Sequence, residues 1–353
     1  MNIYSPHFLL RDEARTTERR AALTPQDAAK LIEKGAEITV ERSEKRIFPD
    51  EAYEAAGCVL IDAESWKTAP ADVTILGLKE LPEDPEKLPC PMIHFAHIYK
   101  DQSGWEDEIA RFERGGGVLY DLEYLTNEHG RRVAAFGYWA GWMGAAMALW
   151  RMGARLSDQA GPEAGVSSFA GREDVEAEIA RHLGDKGQGL SAVVIGAKGR
   201  SGTGAVELLE KFGVRTSKWD IEETQNLDRE ALLAHDILVN CVLMTGPGLR
   251  LIGPEDLNNT SLKMISDVSC DPFSDFNPLP IYKEPTSWEE PYIELADGLE
   301  LTAIDNLPSM LPREASEDFS EQLLPTLLTY PDSVPWQNAK AVFDLHLKKA
   351  QQR

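Results

Sequence analysis

The stretch Leu190 to Gly204, LSAVVIGAKGRSGTG, constrains the fold more than any other part of the chain. Ala192 to Ile195 is a short apolar, β-branched run, the pattern of a strand buried on both faces of a parallel sheet. The run stops at Gly196, glycines recur at 199 and 202, and an amphipathic segment follows at once, with Val206, Leu208, Leu209 and Phe212 on one face. Strand, glycine turn and helix in that order predict a dinucleotide-binding loop. The glycines let the backbone approach a pyrophosphate, and the helix N-terminus offers it unpaired N–H groups and a positive dipole end. The spacing is G-x-x-G-x-x-G, not the commoner G-x-G-x-x-G, so the context has to carry the reading.

That context is favourable. Arg215 to Trp219 (RTSKW) reads as the second strand and delivers Asp220 to its end, 24 residues after Gly196. An acid there accepts hydrogen bonds from the ribose hydroxyls of NAD and repels the 2′-phosphate of NADP. Arg215 and Lys218 are near enough to leave NADP open, but NAD is the expected cofactor. The alternative is an ordinary strand–turn–helix unit in which Asp220 only caps a loop.

A chain of 353 residues is long enough for two domains. Its net charge of −23 argues against nucleic acid and anionic membranes as partners, and it makes local clusters of Lys and Arg informative. Cys58, Cys90, Cys241 and Cys270 form no C-x-x-C pair, which suits reduced thiols and predicts neither a disulfide framework nor a metal site. The N-terminus shows no basic segment followed by an apolar run, so a cytoplasmic protein is expected.

Along the chain, strands are predicted at 7–10, 37–40, 73–78, 93–98 and 118–122, and helices at 25–35 and 50–56. Strand–helix alternation predicts a parallel α/β sheet. This first region has no glycine fingerprint and reads as the substrate half. Val133 to Trp150 holds 18 residues without a charge. Small residues on two of its faces favour a buried helix between the domains over a membrane span. A charged helix at 175–183 precedes the glycine turn. Further strands at 237–242, 264–269 and 301–304 should bring NCV, DVSCD and IDNLPSMLPREAS to the cofactor, since ligands collect at strand carboxyl ends. Helices at 316–328 and 335–349 close the chain and should return to the first domain. The expected architecture is two Rossmann-like domains with parallel sheets and a cleft between them. Residues 1–134 with 320–353 would form the substrate domain and residues 135–319 the NAD domain.

Several charged clusters of the first region lie at predicted strand ends or before helices: Arg19-Arg20, Lys79-Glu80, His94 and His97 with Lys100, Glu123, and Arg131-Arg132. Cations in such places suggest a substrate with several carboxylates. A lysine among other cations is pushed toward a lower pKa, and a histidine exchanges protons near neutrality with little tuning. His94 alternates out of phase with His97 and reads as structural.

The strings ERRAALTP, SWKTAP, ILGLKE, FAHIYKDQSGW, LYDLEYL, GRRVAAFGYWAG, VIGAKGRSGTGA, KWDIEET, DVSCD and IDNLPSMLPREAS together resemble the NAD-dependent, lysine-forming saccharopine dehydrogenases, relatives of alanine dehydrogenase and the transhydrogenase α-subunit. The resemblance spans nearly the whole chain. It implies oxidative deamination of saccharopine to lysine and 2-oxoglutarate. Lys79 would take the amine proton and His97 would serve the hydrolysis, tuned by Glu80 and Glu123. Arg20, Lys100, Glu123, Arg132, Phe136, Ser269 and Asp271 match substrate-binding positions. Gly199, Arg200, Asp220, Thr224, Arg131, Val268, Ile304, Asp305, Asn306 and Leu307 match cofactor contacts. Family members can carry a cysteine in the glycine turn that pairs with one in the NCV strand. Ser201 stands there in this chain, so a bridge to Cys241 cannot form. Another amino-acid or opine dehydrogenase, or a catalytically silent NAD-binding protein, remains open at this point. The expected partners are small molecules, with the chain a monomer or small homo-oligomer.

Overall fold

The computed structural model describes residues 5–99, 104–244, 246, 248 and 250–352. The chain divides into two compact units, one of residues up to Ala135 with those from Ala315 onward, the other Phe136–Glu314.

The first unit is built on six strands: β1 (His7–Leu10), β2 (Glu37–Glu41), β3 (Val59–Ile61), β4 (Thr74–Leu76), β5 (Met92–His94) and β6 (Leu119–Asp121). All pair in parallel, in the order β3-β2-β1-β4-β5-β6. Helices α1 (Pro25–Glu33), α2 (Asp50–Ala55) and α3 (Trp105–Gly115) are interspersed among them. The start of α1 is set locally: Pro25 opens it, and the Thr24 hydroxyl accepts the Asp27 N–H at 3.2 Å. The last two helices, α9 (Pro312–Leu327) and α10 (Val334–Gln351), bring the chain back to this unit. Phe343 of α10 meets Phe112 of α3 edge-on, ring centroids 5.5 Å apart, in a core shared with Ile75, Met92 and Leu119. The strand order reverses between β1 and β4. The two strands pair directly, and it is at the carboxyl ends of strands flanking such a reversal that ligands bind in sheets of this kind.

The second unit holds β7 (Ser191–Ile195), β8 (Arg215–Trp219), β9 (Ile237–Asn240), β10 (Met264–Asp267), β11 (Ile293–Ala296) and β12 (Leu299–Thr302), ordered β11-β12-β10-β9-β7-β8, with the short helix α8 (Arg229–Leu233) between β8 and β9. Five strands run parallel. The sixth, β11, is an antiparallel edge joined to β12 by a tight turn at Asp297-Gly298, with Gly298 at φ +74°. Neither β3 nor β11 is visible in the sequence pattern, because both are short edge strands whose residues are half-exposed and lack a clear alternation.

The apolar stretch forms α4 (Gly137–Ser157), which starts four residues later than the uncharged block and continues past it through Arg151 and Arg155. Both arginines pair with Glu300, at 2.7 and 3.3 Å. Among the described residues no helix is long and apolar enough to cross a membrane. Within its unit α4 lies against α5 (Arg172–Leu183) and α6 (Arg200–Lys211). Small residues on both α4 and α6 explain how closely: a Cβ on Gly141 of α4 would run into the Ser201 carbonyl, and one on Gly204 of α6 into that of Tyr138. Backbone cannot give way as a flexible side chain can. Gly141→Ala should therefore cost about 1–3 kcal/mol through overpacking. Gly189→Ala, in open space, should change stability by less than ~0.5 kcal/mol. Urea unfolding of the two variants checks the contrast.

Candidate functional site

In the first unit, the carboxyl ends of β1, β4, β5 and β6 carry the charges singled out from the sequence. The chain leaving β1 turns back so that Glu18 and Arg20 become buried, side chains only 2% and 3% exposed. The Arg20 Nε and Nη2 donate to the two Glu18 oxygens at 2.8 and 2.6 Å, and the Arg20 N–H adds a bond of 3.0 Å. Burial pushes the Glu18 carboxyl up. The charge and hydrogen bonds of Arg20, together with the charge of Lys79, outweigh it and leave the carboxyl below its ordinary range. Lys79 thus lies within electrostatic reach of this pair. Glu80, expected to tune Lys79, pairs with Arg15 at 2.5 Å and is also lowered, against the upward push of burial, by a bond from its own backbone N–H, by Arg15 and by Lys79.

His97 lies just beyond β5, half-exposed, with its Nδ1 3.8 Å from Glu123 beyond β6. Its φ of +55° is a left-handed conformation that non-glycine residues seldom adopt. The Phe95 ring lies near-parallel to the imidazole, centroids 6.1 Å apart. His94 points the other way into the core, 1% exposed. Burial first, and then the charge of Arg11, hold its pKa well below the ordinary value. The period-two reading that separated the two histidines agrees with these positions. Arg131 and Arg132 are exposed on a turn closed by a bridge between Thr126 and Arg132, and Arg19 gives its Nε to the Lys45 carbonyl at 3.2 Å. Lys100 lies outside the described residues.

In the second unit the predicted cofactor residues other than Arg131, which belongs to the first unit, gather at the ends of β7, β8, β10 and β12. Gly196 has φ +77°, and a Cβ on Gly202 would strike the Gly196 carbonyl, so the turn closes only with glycine at both places. Gly199 is the N-cap of α6 and Arg200 its first residue, leaving the first N–H groups of a twelve-residue helix at the turn. This glycine cradle and helix end fit the pyrophosphate of NAD. Asp220 caps α7 (Ile221–Gln225) through the Ile221 N–H at 2.9 Å, and its other oxygen accepts the Lys198 N–H of the glycine turn at 3.0 Å. These two backbone bonds keep its carboxyl below the ordinary value. Thr224 on α7 donates its hydroxyl to the Asp220 carbonyl at 2.7 Å. Past β12, Ile304 and Leu307 are buried, Asp305 is exposed, and Asn306 sits at φ +62° with its amide 3.0 Å from the Asp305 carboxylate. Phe136, the N-cap of α4, is half-buried.

Val268, Ser269 and Asp271 follow β10, and their loop hangs on a residue that sequence reasoning missed. Asp267, wholly buried, accepts the Tyr282 hydroxyl at 2.6 Å, the Asn240 amide at 2.9 Å and the Ser269 hydroxyl at 2.6 Å. Glu18 and Arg15 were missed as well. The visible signal was a set of acids and arginines directly after a first apolar strand, but nothing local says which ones turn inward.

The comparisons with known proteins follow the same lines. Residues 9–143 match the family model of the alanine dehydrogenase/PNT N-terminal domain. A solved structure of L-alanine dehydrogenase has the same fold, with a TM-score of 0.68 over 98% of this chain and 99% of that one at 16% identity. The saccharopine dehydrogenase [NAD(+), L-lysine-forming] of Neurospora crassa is 43% identical over 95% of both chains, and that of Candida albicans 41% over 98% of both. With identity at that level running through both units, this chain belongs to the NAD-dependent, L-lysine-forming saccharopine dehydrogenase family.

Proposed function

We propose that the protein catalyses the NAD-dependent oxidative deamination of saccharopine to L-lysine and 2-oxoglutarate, and the reverse condensation and reduction. The carrying observation is full-length similarity to enzymes of that name. The strand-end geometry supports a division of labour among residues. NAD, when bound, supplies the hydride acceptor, held by the glycine turn, Arg200 and Asp220. Lys79, as the free amine, takes the proton of the substrate's secondary amine as that nitrogen becomes an imine. Water then adds to the imine carbon. His97 accepts a proton from that water and returns one to the departing lysine nitrogen, with Glu123 close enough to stabilise the imidazolium between the two events. Lys100, Arg132 and Arg20 serve the substrate's carboxylates, with Arg20 working from within its pair with Glu18.

The test is spectrophotometric: NADH oxidation should require lysine and 2-oxoglutarate together. Turnover with ammonia and pyruvate in their place would make the protein an alanine-type dehydrogenase, and binding of NADH without any turnover would make it a silent relative. NAD should be preferred over NADP. Asp220→Asn removes the charge yet keeps a good N-cap for α7. It should narrow the ratio of kcat/KM for the two cofactors by about 10-fold or more, as for loss of a hydrogen bond to a charged group. An unchanged ratio would remove Asp220 from cofactor selection.

A further inference from the structure

The residues just after β1 form a second buried pair that the proposed chemistry does not use. Arg11 and Glu13 have side chains 1% and 6% exposed, joined at 2.9 Å. Charges this far from water are costly unless fully engaged. Apart from a 3.3 Å bond from Arg11 Nη1 to the Asp12 carbonyl, their further partners are the backbone of one short segment. The two Glu13 oxygens accept the N–H groups of Leu78 and Lys79, at 2.6 and 3.0 Å. Arg11 Nη2 donates to the Lys79 carbonyl and lies 3.4 Å from that of Glu80. The peptide groups on both sides of the Lys79 Cα are therefore gripped, one by the carboxylate and one by the guanidinium, 66 and 68 residues away in sequence.

The segment needs that grip because it has left its sheet. Gly77 donates to the Ile93 carbonyl at 2.9 Å, the Leu78 carbonyl accepts the Phe95 N–H at 3.1 Å, and Lys79 is beyond both. Gly77 also makes room for the clamp: a Cβ there would overlap Arg11 Nε and stand 3.0 Å from its Cζ. The glycine of ILGLKE and the charges of LLRDE thus belong to one device.

We propose that Arg11 and Glu13 are positioning residues for Lys79, fixing the point from which its side-chain nitrogen reaches the substrate. They do not touch the substrate themselves. This rests on the reading of Lys79 as the base, and the test separates the two. A misplacement of about 1 Å in a catalytic group can cost ~10²-fold. Glu13→Gln keeps the shape but replaces one acceptor oxygen with an N–H₂ that cannot receive a backbone N–H. In the full-length enzyme it should lower kcat about 10- to 100-fold and distort the pH profile of kcat/KM, with NADH affinity measured by fluorescence unchanged. Introduced into Lys79→Met, it should lower kcat no further, a result that a merely structural role would not give. Near-normal kcat and pH profile in Glu13→Gln, or a full additional loss in the Lys79→Met background, would overturn the inference while leaving Lys79 as base. Near-normal kcat in Lys79→Met alone would overturn both. If Glu13→Gln does not fold, Gly77→Ala, which displaces Arg11, is judged by the same criteria.

Discussion

Lys79→Met and His97→Gln should each lower kcat by ~10²–10⁴-fold, the usual contribution of a positioned general acid or base. The two residues stand beyond neighbouring strands, β4 and β5, which pair directly in the sheet of the first unit. They serve consecutive proton transfers, so the double variant should lose much less than the product of the single losses. NADH binding should be unaffected, because the residues assigned to the cofactor's pyrophosphate and ribose lie on the second unit. Single-turnover measurements can divide the roles further. Lys79→Met should slow NADH formation from saccharopine, and His97→Gln should slow release of lysine. Near-normal kcat with an unaltered pH profile in both variants would leave them as ordinary members of a charged surface.

Arg20→Ala should destabilise the protein by about 3–5 kcal/mol, as expected when one partner of a buried pair is removed and the other stays behind charged. From the sequence, Arg20 reads as a carboxylate clamp, for which alanine should raise KM far more than it lowers kcat. The bidentate bond to Glu18 adds a loss of stability that this reading did not contain. Removing both partners, as in Glu18→Gln with Arg20→Met, should cost clearly less than the sum of the single variants, because no charge is then left alone. The pair also makes stability depend on pH. The folded carboxyl of Glu18 lies below its ordinary value of 4.5. Its contribution is complete above that value and is lost as pH falls through the lowered folded value. Urea midpoints of wild type and Glu18→Gln should therefore differ most near neutrality and converge in acid. A constant difference across that range would detach the pair from the acid dependence.

Much of this was legible locally. The strand, three glycines and amphipathic face of LSAVVIGAKGRSGTG specify a turn between strand and helix wherever they occur, since each element is fixed by neighbours a few residues away. The same holds for the opening of α1 at Thr24-Pro25 and for Asp220 at the end of β8, both read within a single turn of chain. Strand alternation marked His94 as inward-facing, while His97, read as part of the same strand, lies beyond its end in a left-handed conformation that the sequence did not indicate.

Tertiary structure decided the rest, because the partners were distant in sequence. Nothing near Glu13 indicates that it will hold the backbone of Lys79, or that Gly77 is small for the sake of Arg11. Glu18 and Glu80 look alike as acids beside cations. Only the fold sends Glu18 inward to Arg20 and leaves Glu80 half-exposed on Arg15. Asp267 shows the same limit: its three side-chain partners come from the end of β9, the loop after β10 and a tyrosine fifteen residues on. Periodicity tells which face of a strand or helix avoids water. Which buried charge meets which partner is settled when the sheet order brings strand ends together, and a carboxylate cut off from water must then take whatever donors the assembled backbone presents.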